Sequence, residues 1–152
     1  MNSSTKRRSK KGKGTRRTKM ISSIAAFEKD VTVRFLEILI MVKLYHWKTS
    51  SYATHKATDD LYTSLNANID KFIEVLLGKA GNRIQLMDKK SISLIDLNSP
   101  ERLRAEINSF KNYLVSITNS PAMRLMSNTD LLNIRDEILG NLNQFLYLLT
   151  FK

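Results

Sequence analysis

The sequence predicts an all-α protein, a four-helix bundle with one long crossover connection, preceded by a disordered basic arm. Three observations predict it. Apolar residues recur at threes and fours through four separate stretches, which is the helical period. Glycine and proline number only five and two, too few for a turn-rich β architecture. Charge is concentrated at one end, where residues 1–19 hold nine cations and no acid. Taking those nine from 25 Lys and Arg leaves 16 against 14 Asp and Glu, so the body is nearly neutral although the chain carries +11.

The arm, residues 1–19, has one apolar residue, Met1. Such a segment buries too little surface to offset its ordering entropy, so it is expected to be disordered. The bundle is expected over 20–152. Helix A is placed at 22–48, on the stripe Ile24, Phe27, Val31, Phe35, Ile38, Met41, Val42 and Tyr45. Leu36, Leu39 and Ile40 widen that stripe, so the helix should touch a neighbour as well as its own bundle.

Helix B is placed from Ala53 to Leu77, carrying Leu61, Leu65, Ile69, Phe72 and Leu76, with Gly78 and Gly81 as stop signals. Asn82 to Ser99 is a long connection with room for a short helix. Ser99-Pro100-Glu101 reads as a helix start, a capping hydroxyl followed by Pro at the first helical position. Helix C carries Leu103, Ile107, Phe110, Leu114 and Ile117, and Asn119-Ser120-Pro121 breaks it. Ser127-Asn128-Thr129-Asp130 caps helix D, which carries Leu131, Ile134, Ile138, Leu142, Phe145, Leu146 and Leu149. Gly140 within it costs about 1 kcal/mol against Ala, and a close helix approach is the expected reason. Short A–B and C–D links with a long B–C link are the connectivity of ferritin-like bundles.

Composition removes several kinds of chemistry. With no Cys there is no disulfide, thiolate nucleophile or Cys-based metal site. No apolar run approaches the ~20 residues of a membrane span, and Glu37 and Lys43 interrupt Phe35–Leu44. The first apolar block also lacks the form of a signal peptide. A soluble intracellular protein is expected, in nucleoid or cytoplasm, or in virion or nucleus if viral. There is no Gly-rich phosphate loop and no nucleophile elbow. The two His are nine residues apart, which excludes a zincin helix.

The polar residues of interest are His46, His55, Asp59, Asp70 and Glu74. His55 and Asp59 are i and i+4, as are Asp70 and Glu74, so each pair shares a helix face. At about 100° per residue the four helix B positions fall at roughly 0°, 40°, 60° and 100°. Yet His55 and Glu74 lie ~28 Å apart along a helix, too far to meet at one ion. The pairs are symmetric about the middle of helix B. A two-fold axis there runs two copies antiparallel and sets His55 and Asp59 of one chain against Asp70 and Glu74 of the other. Each resulting site has imidazole nitrogen and carboxylate oxygen, a donor set suited to iron. His46 can add a second imidazole.

The stretch Tyr45-His46-Trp47, followed by His55, Asp59, Asp70 and Glu74, resembles the Dps-like mini-ferritins. The spacing from His55 onward matches their pattern without a gap. The resemblance implies a ferroxidase centre shared between subunits, with His46, His55 and Asp59 from one and Asp70 and Glu74 from its mate. It implies non-haem iron oxidised by peroxide or oxygen and stored as ferric mineral, and a homo-oligomeric shell such as a dodecamer. In some members it also implies a Lys-rich tail that binds DNA. The overall texture, including the ending Leu142-Asn143-Gln144-Phe145-Leu146-Tyr147-Leu148-Leu149, is closer still to the short Dps-like proteins of large DNA viruses. The chain departs from the pattern in three ways. Its His46–His55 loop is about three residues shorter. Ile73-Glu74-Val75 replaces the usual Ala-Glu-Arg. Helices C and D look short.

The arm's cations are Lys6, Arg7, Arg8, Lys10, Lys11, Lys13, Arg16, Arg17 and Lys19. Without aromatics they suit phosphate contacts without base readout. Neutralising six to eight phosphates gives a slope of log K on log salt of roughly −5 to −7, at about −0.9 per phosphate. Lys6-Arg7-Arg8 and Lys10-Lys11 also fit an import signal. The expected function is a mini-ferritin that oxidises iron and binds DNA non-specifically. The alternative is a non-enzymatic oligomeric nucleoprotein or virion component that packages DNA on a relic scaffold. Trp47 is expected to pack at the dimer interface, and the methionines to be core or linker residues.

Overall fold

The computed structural model describes residues 12–151 of the chain. Among these no strand occurs, and four long helices carry the fold: α1 (Gly12–Lys48), α2 (Tyr52–Ala80), α3 (Pro100–Ser116) and α5 (Thr129–Leu148). The short helix α4 (Pro121–Leu125) and a 3-10 turn at Ile117–Asn119 lie between α3 and α5.

Each boundary has a local cause. Ser51 caps α2, its Oγ accepting from Thr54 N at 3.3 Å. Helix α2 runs through Gly78 and stops at Gly81, whose φ of 69° is a left-handed conformation that favours glycine. The Gly81 N–H then closes on the Leu77 carbonyl at 2.8 Å. Ser99 and Ser120 cap α3 and α4, each followed by Pro in the first turn. Asn82–Ser99 contains no helix. The C–D link is built up instead, with Asn128 Nδ2 donating to the Met123 carbonyl at 2.8 Å just before α5.

Contacts fix the directions of α3 and α5. Tyr113 Oη donates to Asp30 Oδ2 at 2.7 Å, and Phe35 meets Phe110 edge-on with ring centres 6.1 Å apart, so α3 runs antiparallel to α1. Lys79 pairs with Asp130 at 2.8 Å and Lys71 with Glu137 at 3.6 Å, so α5 runs antiparallel to α2. The crossover climbs alongside α1. Lys29 pairs with Asp88 at 2.9 Å, Glu37 Oε1 accepts from Ser93 N at 3.2 Å, and Lys48 pairs with Asp96 at 2.6 Å. It thereby returns the chain to the end of the bundle where α1 passes into α2. At mid-bundle Phe35 lies edge-on to both Phe72 (5.2 Å) and Phe110, joining three helices in one core.

Two expectations are corrected here. The arm was expected to be disordered over 1–19, but α1 begins at Gly12, so 12–19 extend an existing helix. Propagation from a packed helix needs no new nucleus, which the composition argument did not include. The arm residues Lys6, Arg7, Arg8, Lys10 and Lys11, and the side chain of Lys13, lie outside the described residues. Gly140 is not a point of close helix approach either, since a Cβ there would meet nothing within 4 Å. Among the described residues no helix is long and apolar enough to cross a membrane.

Candidate metal centre

The three-residue link Thr49–Ser51 folds the end of α1 against the start of α2. It places His46 on His55, with ring centres 3.9 Å apart and planes 23° from parallel. The shortened loop therefore does not separate the two imidazoles. Each ring bonds to the other residue's backbone. His46 Nδ1 donates to the His55 carbonyl at 3.0 Å, and His55 Nδ1 donates to the His46 carbonyl at 2.9 Å. The second bond also satisfies a carbonyl in the last turn of α1, where helices leave acceptors unpaired.

These bonds settle the tautomers chemically. A carbonyl oxygen only accepts, so both Nδ1 atoms carry hydrogen. In the neutral rings both Nε2 atoms then hold free lone pairs, the form that binds a metal ion. Thr58 completes the corner. It is fully buried, its hydroxyl donates to the Thr54 and His55 carbonyls at 2.8 and 2.9 Å, and it lies 3.3 Å from His46 Nδ1. The single hydrogen of Oγ1 is shared between these two carbonyls, so toward His46 Nδ1–H the oxygen can only accept. Thr58 was not singled out from the sequence. Its position three residues after His55, on the core side of α2, is the signal that marks it.

His46 is buried, whereas His55 is exposed, Asp59 half-buried, and Asp70 and Glu74 exposed. The side chains of Asp70 and Glu74 form no hydrogen bond or ion pair among the described residues. Nor do the described residues of one chain gather three or more His, Asp or Glu side chains in metal-binding proximity.

Between the two candidate pairs, His55 with Asp59 and Asp70 with Glu74, lies an apolar groove. Tyr62 and Asn66 of α2 line it with Leu36, Leu39, Ile40, Lys43, Leu44 and Trp47 of α1. At about 100° per residue from His55, Tyr62 and Asn66 fall at roughly −20° and +20°, so the candidate residues and the groove share one face of α2. Trp47 is 68% exposed and Leu36 39%, a second apolar stripe on α1 opposite its core stripe. The Lys43 ammonium lies 4.7 Å from the Tyr62 ring centre and 5.9 Å from that of Trp47. Tyr62, Asn66 and Lys43 were not picked out from the sequence either, although the widened apolar stripe on helix A pointed to this face.

Two buried acids lie away from the ligand face. Glu37 accepts from Ser93 N and pairs with Arg34 at 3.5 Å, holding the crossover on α1. Glu28 accepts from Asn82 Nδ2 at 3.2 Å, but its Oε1 is buried without a partner among the described residues, and burial raises its pKa from its ordinary value.

No curated protein and no solved structure matches the chain. A family model matches residues 46–149, beginning at the first stacked histidine and ending one residue past α5. That stretch is more than half of the chain and contains His46, His55, Asp59, Asp70 and Glu74, so the protein belongs to a family of unknown function, DUF5856.

Proposed function

We propose that this protein is a Dps-like mini-ferritin: a ferritin-like bundle that oxidises and stores iron at a site completed by a second copy of the chain, with a basic N-terminal segment that holds DNA non-specifically. The observation that carries the reading is the His46–His55 stack. It presents two imidazoles with committed Nδ1 atoms and free Nε2 atoms, that of His55 on the same face of α2 as Asp59, Asp70 and Glu74. The single long crossover, with α2 and α3 running together against α1 and α5, supports the ferritin-like fold.

Fe(II) is the substrate. His46, His55 and Asp59 of one subunit bind it opposite Asp70 and Glu74 of the two-fold mate; each Fe(II) gives up one electron, so two Fe(II) with two protons reduce one peroxide to water or one dioxygen to peroxide. Neutral nitrogen and anionic oxygen donors together suit iron in both oxidation states. The groove between the ligand pairs is the contact for the second copy, since a two-fold axis near its centre superposes the two apolar stripes and brings opposite ligand pairs together. Higher assembly to a shell such as a dodecamer multiplies the basic segments and so the avidity for DNA.

The test is anaerobic loading of the full-length protein with Fe(II), then peroxide, following ferric absorbance beside Asp70→Ala and Glu74→Ala. Fast oxidation in the wild type alone is expected. Equal rates in wild type and both variants would remove the site.

The replacement of a usual Arg by Val75 favours a second reading, a non-enzymatic nucleoprotein on a relic scaffold. Under it, protein-dependent oxidation is absent and removing residues 1–19 abolishes the remaining activity, DNA retention.

A further inference from the structure

The basic segment is not separate from the bundle in its backbone. Helix α1 begins at Gly12, yet its first buried residue is Phe27. The intervening stretch amounts to about 22 Å of helix at 1.5 Å rise per residue. Residues 14–22 are all exposed. Arg16, Arg17 and Lys19 lie within ~160° of the helix circumference, with Thr18 and Ser22 on the other side. No acid occurs before Glu28, and none of the three cations forms an ion pair among the described residues.

This overhang has little of its own to hold it. Gly14 and Thr18 are poor helix formers, and Arg16 and Lys19, three apart, repel. What sustains it is continuation from the packed part of α1, where the cost of nucleation is already met. Phosphate bound along the cationic side removes the repulsion and so favours the helix.

The residues also choose among anionic partners. A helix lying in a membrane surface needs an apolar face along its length, but residues 12–19 contain none. Single-stranded nucleic acid is held largely by stacking on aromatics, and none occurs in residues 1–26. The evenly charged backbone of a duplex needs neither.

Resting on the DNA-binding reading above, we propose that duplex DNA is gripped by a helical strut, with Arg16, Arg17 and Lys19 carried rigidly at a fixed distance from the bundle, and not by a free string of charges. A strut gives all copies in an assembly a defined orientation on the duplex, and holding the cations in place lowers the ordering cost of binding.

The experiment uses full-length protein and a fluorescent random-sequence duplex, with anisotropy read across a salt series. Ser22→Pro keeps all nine cations and breaks the helix between strut and bundle. Ser22→Ala keeps the helix. Thr18→Gly with Ser22→Gly is a milder helix-weakening pair at exposed positions, so misfolding of the proline variant does not decide the result. Affinity is expected to fall about tenfold in Ser22→Pro, less in the glycine pair, and not at all in Ser22→Ala. Neutralising Arg16, Arg17 and Lys19 to Gln should flatten the salt slope by about 2.7. Wild-type affinity in both Ser22→Pro and the glycine pair overturns the strut and leaves DNA binding standing. Absence of duplex retention by the wild type at low salt overturns both. Retention on phosphatidylserine vesicles without duplex binding reassigns the segment to a membrane surface and also overturns both.

Discussion

The two ends of the outer face of α2 are built differently. At the start of the helix, His46 and His55 are stacked, hydrogen-bonded to each other's backbone and backed by buried Thr58. Some 15 residues further on, Asp70 and Glu74 stand in solvent with no partner among the described residues. The difference follows from charge. A neutral imidazole can be buried if its N–H finds an acceptor, so the chain can prepare its nitrogen donors alone. A carboxylate buried without a partner is costly, so it stays in water until a cation compensates it. Glu28 illustrates that cost, since burial with one oxygen unpartnered raises its pKa.

The comparison can be broken most severely at the groove between the two ends. Leu36→Glu with Trp47→Glu puts charge on two exposed positions and should leave the single-chain fold intact. On our account it abolishes self-association in sedimentation velocity and iron oxidation with it. An oxidising monomer would contradict the shared site.

A smaller effect is expected at the prepared end. Thr58→Val removes the acceptor that backs His46 Nδ1, while the His55 carbonyl remains. Ligand-supporting hydrogen bonds of this kind typically affect metal affinity by 10–100-fold, and with one of two bonds retained about tenfold weaker Fe(II) binding is expected. Calorimetric titration under anaerobic conditions measures it. Asp59, Asp70 and Glu74 are untouched by the change, so an unaltered affinity would separate the histidine stack from iron binding.

The smallest effect concerns Glu28. Its pKa is raised in the folded state, so folding favours the protonated form. Its contribution to stability is fully present below the ordinary carboxyl range and is lost as pH rises through the raised value. Glu28→Gln should therefore melt higher than the wild type at about pH 7, with the gap closing toward about pH 4. Thermal unfolding across that range checks the sign.

Much of the fold was legible because its signals are local. The starts of α3 and α5 followed from Ser99-Pro100 and Asn128-Thr129-Asp130, and the core positions followed from helical periodicity. The start of α1 was not legible, because its extension depends on the packed helix behind it and not on the composition of the arm. The candidate ligand residues stand out by spacing, as i, i+4 pairs symmetric about the middle of α2. The stack of His46 on His55 could not, because it depends on how a three-residue link turns the chain. Thr58 was hidden for a similar reason. A buried threonine on a helix carries no spacing signature until its neighbour across the link is known.

The central claim is that neither chain holds a whole site, and subunit mixing tests it most directly. One variant carries His55→Ala and Asp59→Ala, the other Asp70→Ala and Glu74→Ala. Each alone should lack rapid Fe(II) oxidation. In a two-fold dimer of one with the other, both defects fall in the same site and the second site is entirely native. After denaturation, equal mixing and joint refolding, half of the dimers are mixed, so the account predicts recovery of about a quarter of the wild-type rate per chain. Mixed dimers that form but recover no oxidation would contradict it.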